Sequence, residues 1–135
     1  MNKRTFLTWL TVFLSSLILD SIGHLVIANG YITKQVAEVL KPMTEINPLP
    51  IMIEYLLVSV GIVYFLKQTN ASQKPLSYAA TQGALIGLMI YGISGIIDVT
   101  FLVKWSWNVV IINTLIGTIV LGISAVLGRL VSFTK

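Results

Sequence analysis

The chain has 135 residues, of which 56% are hydrophobic and only 10% charged, with a formal net charge of +4. Soluble domains carry roughly 25% charged residues, so this composition indicates a membrane protein, and the length suits a single domain over residues 1–135. Cysteine is absent and histidine occurs once, which excludes disulfides, thiol catalysis and a cysteine- or histidine-rich metal site within one chain.

Four apolar segments follow one another, over about residues 6–28, 50–66, 78–99 and 109–127. A helix needs ~20 residues to cross a hydrocarbon core of ~30 Å, and the shorter second segment is extended by tilt or by the long side chain of Lys67. Lipid offers the backbone no hydrogen-bond partners, so each segment should be helical, and continuous apolar runs exclude a barrel. The predicted fold is an all-α integral membrane protein, a bundle of four transmembrane helices.

The first segment also has features of a signal peptide. Lys3 and Arg4 precede it, and the sequence at residues 26–28 would suit a signal peptidase. However, the apolar stretch is long for a signal peptide, and Asp20 and His24 interrupt it. We therefore interpret it as a transmembrane helix.

The connections between the segments differ in length. Residues 29–49 form the longest connection, in which Tyr31 to Leu40 could make a short interfacial helix before Pro42 and the Asn47-Pro48 pair interrupt helical structure. Residues 68–75 are polar and typical of a turn. The last connection is short and carries Trp105 and Trp107, which we expect to anchor at the membrane interface.

Basic residues predict the orientation. With both termini inside, six basic residues lie on the cytoplasmic side and three on the outer side, which favours this arrangement under the positive-inside rule. The inner set is Lys3, Arg4, Lys67, Lys74, Arg129 and Lys135; the outer set is Lys34, Lys41 and Lys104, offset by Glu38 and Glu45. We expect a multi-pass protein of the inner (plasma) membrane.

Ionisable side chains inside these segments are the strongest functional signal, because a charge at bilayer depth costs ~2.5–3.5 kcal/mol on insertion scales. Asp20 lies ~12 Å below the outer end of the first helix, with His24 one turn above it on the same face. Glu54 lies ~6 Å into the second helix. Two further polar side chains lie near the outer ends of the third and fourth helices. Together these side chains predict an outward-facing polar pocket that binds a ligand or relays protons. Its residues are Asp20, His24, Glu54, Asp98 and Asn113.

Each residue also has a structural explanation. Asp20 and His24 could form a buried hydrogen bond that fixes helix register, and Glu54 could snorkel or cap the start of a helix. Asp98 could pair with Lys104 across the turn, and Asn113 could join helices through a hydrogen bond worth only ~0.6 kcal/mol on average. The functional hypothesis depends on these residues converging at one depth.

Small residues predict close helix packing. Gly83 and Gly87 form a GxxxG pattern in the third helix, and Gly117 and Gly122 lie among small residues in the fourth. Such faces let backbones approach closely in lipid. The pattern fits either packing of these two helices on each other or a homodimer interface.

Ordered residues along almost the whole length carry a resemblance to a known family. They are Leu19-Asp20, Val26-Ile27-Ala28, Gly30, Gln35, Tyr55, Gly61, Phe65, Gly83-Ala84-Leu85, Gly87-Leu88, Tyr91, Trp105 and Gly117-Thr118. By these the chain resembles the domain-of-unknown-function 2177 family of small bacterial membrane proteins. The resemblance implies four transmembrane helices and no assigned reaction.

The chain also departs from the family pattern. Gly23 and Ile116 stand where the family usually has tryptophan. Gly95 and Asn113 stand where it has acids, and Asp98 where it has asparagine. Of the family's three acids only Asp20 is carried over directly, which puts in doubt any function that needs all three.

The sequence leaves three functions open and names no cofactor. The leading hypothesis is a protein that binds a small or lipid-like ligand in the polar pocket, or an accessory subunit of a larger membrane complex. A second is a proton-coupled small-molecule transporter working as a homodimer. A third is a membrane-embedded lipid-modifying enzyme with an Asp20–His24 general base. The lipid bilayer is the expected environment, and basic residues are too few to indicate nucleic-acid binding.

Overall fold

The computed structural model describes residues 3–28, 30–37, 45 and 47–133. Within these residues the secondary structure is helical, and we number the α-helices in chain order. They are α1 (Lys3–Gly23), which continues as a π-helical turn (His24–Ala28), α2 (Ile32–Val36), α3 (Pro48–Gln68), α4 (Leu76–Phe101) and α5 (Trp107–Phe133), with a 3₁₀ turn (Ala71–Gln73) before α4.

Four stretches are long and apolar enough to cross a membrane, which confirms the predicted all-α fold. They are Lys3–Val26, Pro48–Gln68, Leu76–Phe101 and Trp107–Ser132. Exposed leucine, isoleucine and phenylalanine side chains cover their outer faces. Such a surface is stable only against lipid tails, because exposing so much apolar area to water is unfavourable.

The helices are longer than their apolar cores predict. α3 begins at Pro48, so the Asn47-Pro48 pair starts a helix that we expected to begin at Pro50. The Asn47 side chain accepts a hydrogen bond from the Leu49 amide at 3.0 Å, which caps the helix. Pro48 and Pro50 lie in the first turn, where the missing amide hydrogens would have no helical partner anyway.

A short helix, Ile32–Val36, follows the first span. It lies within the stretch from Tyr31 to Leu40 in which we predicted a short interfacial helix. Residues 38–44, including Pro42, lie outside the described residues. The Ile32 side chain is buried in the core, and the Tyr31 hydroxyl accepts a hydrogen bond from Nδ2 of Asn108 at 3.1 Å. This segment therefore packs over the end of the bundle where α5 begins.

Helix α5 occupies the centre of the bundle, between α4 and α1. Helix α3 packs mainly on the other side of α1 and makes little contact with α4. Val12, Ile62 and Leu121 are among the fully buried side chains of the resulting core. The packing order is α4–α5–α1–α3, with an opening between α3 and α4.

Side-chain hydrogen bonds join the elements at one end of the bundle. We call the end where α5 starts the Trp107 end and the opposite one the Arg129 end. At the Arg129 end, Nε of Arg129 donates to the Ala71 carbonyl at 2.7 Å, and the same guanidinium contacts the Lys74 carbonyl. The Thr8 and Ser132 hydroxyls are 3.0 Å apart, which joins α1 to α5 there.

Candidate functional site

Asp20 is the centre of a polar cluster inside the bundle. Its residue surface is only 8% exposed. The Tyr55 hydroxyl of α3 donates to Oδ2 at 2.5 Å, and the Tyr91 hydroxyl of α4 donates to Oδ1 at 3.1 Å. Because a buried carboxyl group is costly without partners, these contacts are what allow Asp20 to lie within a membrane span.

His24 is the third partner of Asp20 and connects the cluster to the surface. Its Nδ1 lies 3.1 Å from Oδ2 of Asp20 and 3.0 Å from the backbone carbonyl of the same residue. Both atoms are acceptors, so Nδ1 carries a proton. The His24 side chain is 37% exposed and that of Asp20 11%, so the pair leads from the surface into the core.

The backbone changes form at this residue. His24 begins a π-helical turn, a feature found mostly as single turns within α-helices and frequently at functional sites. The ring nitrogen of the same residue lies 3.0 Å from the Asp20 carbonyl, one turn earlier in α1.

Tyr55 and Tyr91 were not predicted as site residues. Both occur among the residues that carry the family resemblance, but tyrosine at this depth is ordinary in membrane helices. The useful signal was their depth: Tyr55 lies ~10 Å from the start of α3, and Tyr91 lies ~15 Å from the end of α4. Both are thus near the level of Asp20.

Tyr91 is positioned by a glycine. A Cβ atom on Gly117 of α5 would overlap the Tyr91 ring, so the ring lies directly against the α5 backbone. From there its hydroxyl reaches Asp20 on α1. Gly117 therefore sets the position of one of the three groups that hold the carboxylate.

Asn113 of α5 lies beside His24. The two side chains are close enough to interact, yet Oδ1 of Asn113 is buried and forms no hydrogen bond. Buried polar atoms almost always have a partner, and many unpaired ones mark a site for a water or a ligand. The cluster thus includes one buried amide oxygen that lies against His24 without a hydrogen bond of good geometry.

Glu54 lies beside the cluster but not within it. It is the residue before Tyr55, and its electrostatic interactions reach Asp20 and Tyr91. The Glu54 residue itself is exposed on the surface of α3. A step of one residue turns the helix by about 100°, so Tyr55 faces Asp20 while Glu54 faces outward.

Asp98 is not among the groups that contact Asp20. It is half-buried in the last turn of α4, where its backbone carbonyl accepts a hydrogen bond from the Leu102 amide at 2.8 Å. Seven residues separate it from Tyr91, or ~10 Å along the helix. Its pairing with Lys104 stays a prediction.

The two predicted anchors point in different directions. Trp107 is 60% exposed at the start of α5, where it can reach the membrane interface. Trp105 packs against the core, and its Nε1 is buried without a hydrogen-bond partner. The interface role of both residues stays a prediction.

The glycines that we singled out lie where α4 meets α5. A Cβ atom on Gly83 would overlap the Leu121 carbonyl oxygen, and one on Gly87 would lie 2.5 Å from the Gly117 carbonyl oxygen. One on Gly122 would lie 3.2 Å from the Ala80 carbonyl oxygen. Without side chains at these positions, α4 and α5 approach backbone to backbone, as small residues permit in lipid.

Apolar grooves run along the helices of the described part of the chain, and none of the predicted ligand residues lines the three described next. The first, of about 340 Å³, lies between α1 and α5. The second and third, of about 430 and 400 Å³, lie on α4–α5 and on α3–α4. Gly23 and Ile112 line the first groove, so His24 and Asn113, the next residues in the chain, lie one residue further along α1 and α5 from its lining. Within the described residues, no three histidine, aspartate or glutamate side chains are grouped closely enough to hold a metal ion.

The fold and the cluster define a four-helix integral membrane protein with an acid at its centre. The chain belongs to the domain-of-unknown-function 2177 (DUF2177) family, described as a predicted membrane protein, whose profile matches residues 5–130. The resemblance drawn from the sequence is thereby confirmed. No curated protein and no solved structure matches the chain.

Proposed function

We propose that the protein binds a lipid-like molecule, with the polar end at His24 and Asn113 and the apolar part in the α1–α5 groove. The observation that carries this proposal is the unpaired Oδ1 of Asn113 beside a half-exposed His24, next to an apolar groove. A polar pair at one edge of an apolar channel suits an amphiphile better than it suits a wholly polar solute.

The chemistry of the pair favours a hydroxyl group in the polar end of the ligand. Nδ1 of His24 is occupied by Asp20, which leaves the other ring nitrogen to Asn113 or to a ligand that comes between the two side chains. Asn113 Oδ1 needs a donor. A hydroxyl can accept from one group and donate to the other at the same time. A monoacylglycerol is a simple molecule with this polar end and a single apolar chain.

The groove has a suitable shape for one chain. Its α5 lining extends from Ile112 to Ile123, or ~16 Å along the helix. Gly23 and Ile116 form its floor, since a Cβ atom on Gly23 would lie 2.8 Å from Cγ2 of Ile116. An acyl chain placed there would be covered by helix on one side and by bilayer lipid on the other.

A substitution within the groove tests the proposal. Leu115 is 56% exposed and lines the groove, so we expect Leu115→Trp to fill it without disturbing the core. Ile111, one turn away on the same helix, is 54% exposed and does not line the groove, so Ile111→Trp is the matched control. Lipid that survives purification in mild detergent would be quantified by mass spectrometry. The proposal predicts several-fold less lipid on Leu115→Trp than on wild type or Ile111→Trp, whereas equal lipid on all three would overturn it.

Proton-coupled transport by a dimer is the second candidate, and the Asp20–His24 pair is the observation that favours it. An ionisable pair that leads from the surface to the middle of a span is an arrangement used in proton relays. This function predicts uptake into vesicles that depends on a proton gradient and is lost in Asp20→Asn. Bound lipid without uptake by wild-type protein would favour the lipid-binding function instead.

A lipid-modifying enzyme would use the same pair as a general base, and its test is turnover of the bound lipid. Incubation of the purified protein with monoacylglycerol would have to release a product that Asp20→Asn does not release.

For each function we place the protein in the bacterial inner membrane with both termini in the cytoplasm, as the basic residues favour. The Trp107 end and the ligand site would then face outward.

A further inference from the structure

The opening between α3 and α4 is an incomplete helix–helix interface. The two helices make little contact although a short turn joins them. A groove of about 400 Å³ separates them, with Leu57, Gly61 and Tyr64 on the α3 side and Ile86 and Ile90 on the α4 side. Elsewhere in the bundle, α4 lies backbone to backbone on α5, so this side is open by contrast.

Gly61 marks the point where another helix could approach most closely. A Cβ atom on Gly61 would meet nothing within 4 Å, so no neighbour in this chain requires a glycine there. Gly83, Gly87 and Gly117 all abut other atoms of the chain. In membranes, glycine at an exposed helix face is typical of a helix contact.

Glu54 lies on the same face of α3, two turns above Gly61. Seven residues separate them, which is nearly two full turns. With α3 beginning at Pro48, Glu54 lies ~9 Å from the helix end, deeper than the sequence alone suggested. Among the described residues no salt bridge joins it to a basic side chain, and its electrostatic neighbour Asp20 is another acid. An exposed acid at this depth is expensive against lipid.

A second copy of the chain in the same orientation cannot supply the missing positive charge within the bilayer. The lysine and arginine residues of the described spans are Lys3, Arg4, Lys67 and Arg129, and all lie at the Arg129 end. Glu54 lies near the Trp107 end, where Lys34 and Lys104 lie outside the described spans and the His24 ring is held by Asp20 of its own chain.

We infer that the α3–α4 groove docks a transmembrane helix of a different protein, which carries a lysine or arginine at the depth of Glu54. The partner helix crosses α3 at Gly61 and fills the groove. Its basic side chain pairs with Glu54 and removes the cost of an unpaired acid in lipid. This interface is separate from the proposed lipid site, which lies on the α1–α5 side of the bundle.

Synthetic helices of known sequence test this inference. One peptide has about 20 leucine and alanine residues with a single lysine about six residues from one end, and its match has leucine at that position. Energy transfer between labelled peptide and the full-length protein in lipid vesicles would report association. We expect the lysine peptide to associate about tenfold more tightly than the leucine peptide, as a polar contact between helices in lipid allows. We expect Glu54→Gln to abolish that difference.

Gly61→Leu tests the groove itself. Because the position is open, the variant should fold normally but bind both peptides several-fold more weakly. Val60, the exposed neighbour on another face, provides the control Val60→Leu, which should leave association unchanged. Equal binding of the two peptides to wild type, or a preference for lysine that persists in Glu54→Gln, would overturn the inference. Self-association of differently labelled copies that Gly61→Leu abolishes would also overturn it, by assigning the groove to a second copy.

Discussion

The Tyr55 hydroxyl lies 2.5 Å from Oδ2 of Asp20 and is the closest of the three donors that surround this carboxyl group. It joins α3 to α1 inside the apolar part of the bundle. Since α3 has little contact with α4 and α5, this bond and the packing on α1 are what hold α3 in place.

Tyr55→Phe should therefore weaken the attachment of α3. The change removes one hydrogen bond to a buried carboxyl group, and we expect it to cost about 1–2 kcal/mol. The free energy of unfolding in mixed micelles, measured by denaturant titration, would show the loss. Tyr64→Phe is the control, because Tyr64 is 62% exposed. A Tyr55→Phe protein as stable as the Tyr64→Phe control would contradict the role that we give to this bond.

Gly83→Ala should destabilise the α4–α5 pair. The new Cβ would meet the Leu121 backbone, which cannot rotate away as a side chain could. Overpacking of this kind costs roughly 1–3 kcal/mol. Gly61→Ala is the matched control on α3, where a Cβ meets nothing and the gain in helix propensity should leave stability equal or slightly higher. The melting temperatures of the two variants in detergent check the difference, and equal values would contradict the close α4–α5 contact.

Asn113→Leu should change stability and lipid binding in opposite directions. The substitution removes a buried oxygen that has no hydrogen-bond partner, so the empty protein should be as stable as wild type or more stable. Bound lipid should fall, because the acceptor for the ligand hydroxyl is lost. Thermal unfolding together with lipid quantification would separate these effects. Parallel losses of stability and lipid would indicate that Asn113 is only a packing residue.

Arg129→Met should loosen the turn between α3 and α4. Arg129 donates to the Ala71 and Lys74 carbonyls, and methionine keeps much of the apolar stem without the donors. Hydrogen exchange at residues 69–75 should become faster. Lys67→Met, at an exposed position of the same end, is the control. Unchanged exchange in Arg129→Met would show that the turn does not depend on these bonds.

The sequence predicted the helices well because lipid constrains them strongly. Apolar length alone located the four spans, but hydropathy could not find their ends; the start of α3, for example, depends on the Asn47 cap. Asp20 was identified because an acid at that depth is rare. The rotation of α3 was not predictable, and it decides that Tyr55, rather than Glu54, faces Asp20.

Two other features of the site could be seen only in the structure. The π-turn that begins at His24 has no sequence signature. The outward-facing polar pocket stays a prediction: Asp20 lies in a hydrogen-bonded cluster, and the groove between α1 and α5 has an apolar lining that depends on how these helices pack. Depth along a helix could be counted from the sequence, whereas contacts between helices could not.

Photolabelling would show whether a lipid-like molecule binds beside the Asp20 cluster. A monoacylglycerol with a diazirine in its chain would be activated on wild-type protein in vesicles, and labelled peptides would be mapped by mass spectrometry. We expect label on the α1–α5 groove, at residues 19–23 and 112–123, and competition by unlabelled monoacylglycerol. Label confined to the α3–α4 or α4–α5 grooves, or spread evenly over the exposed surface, would contradict it.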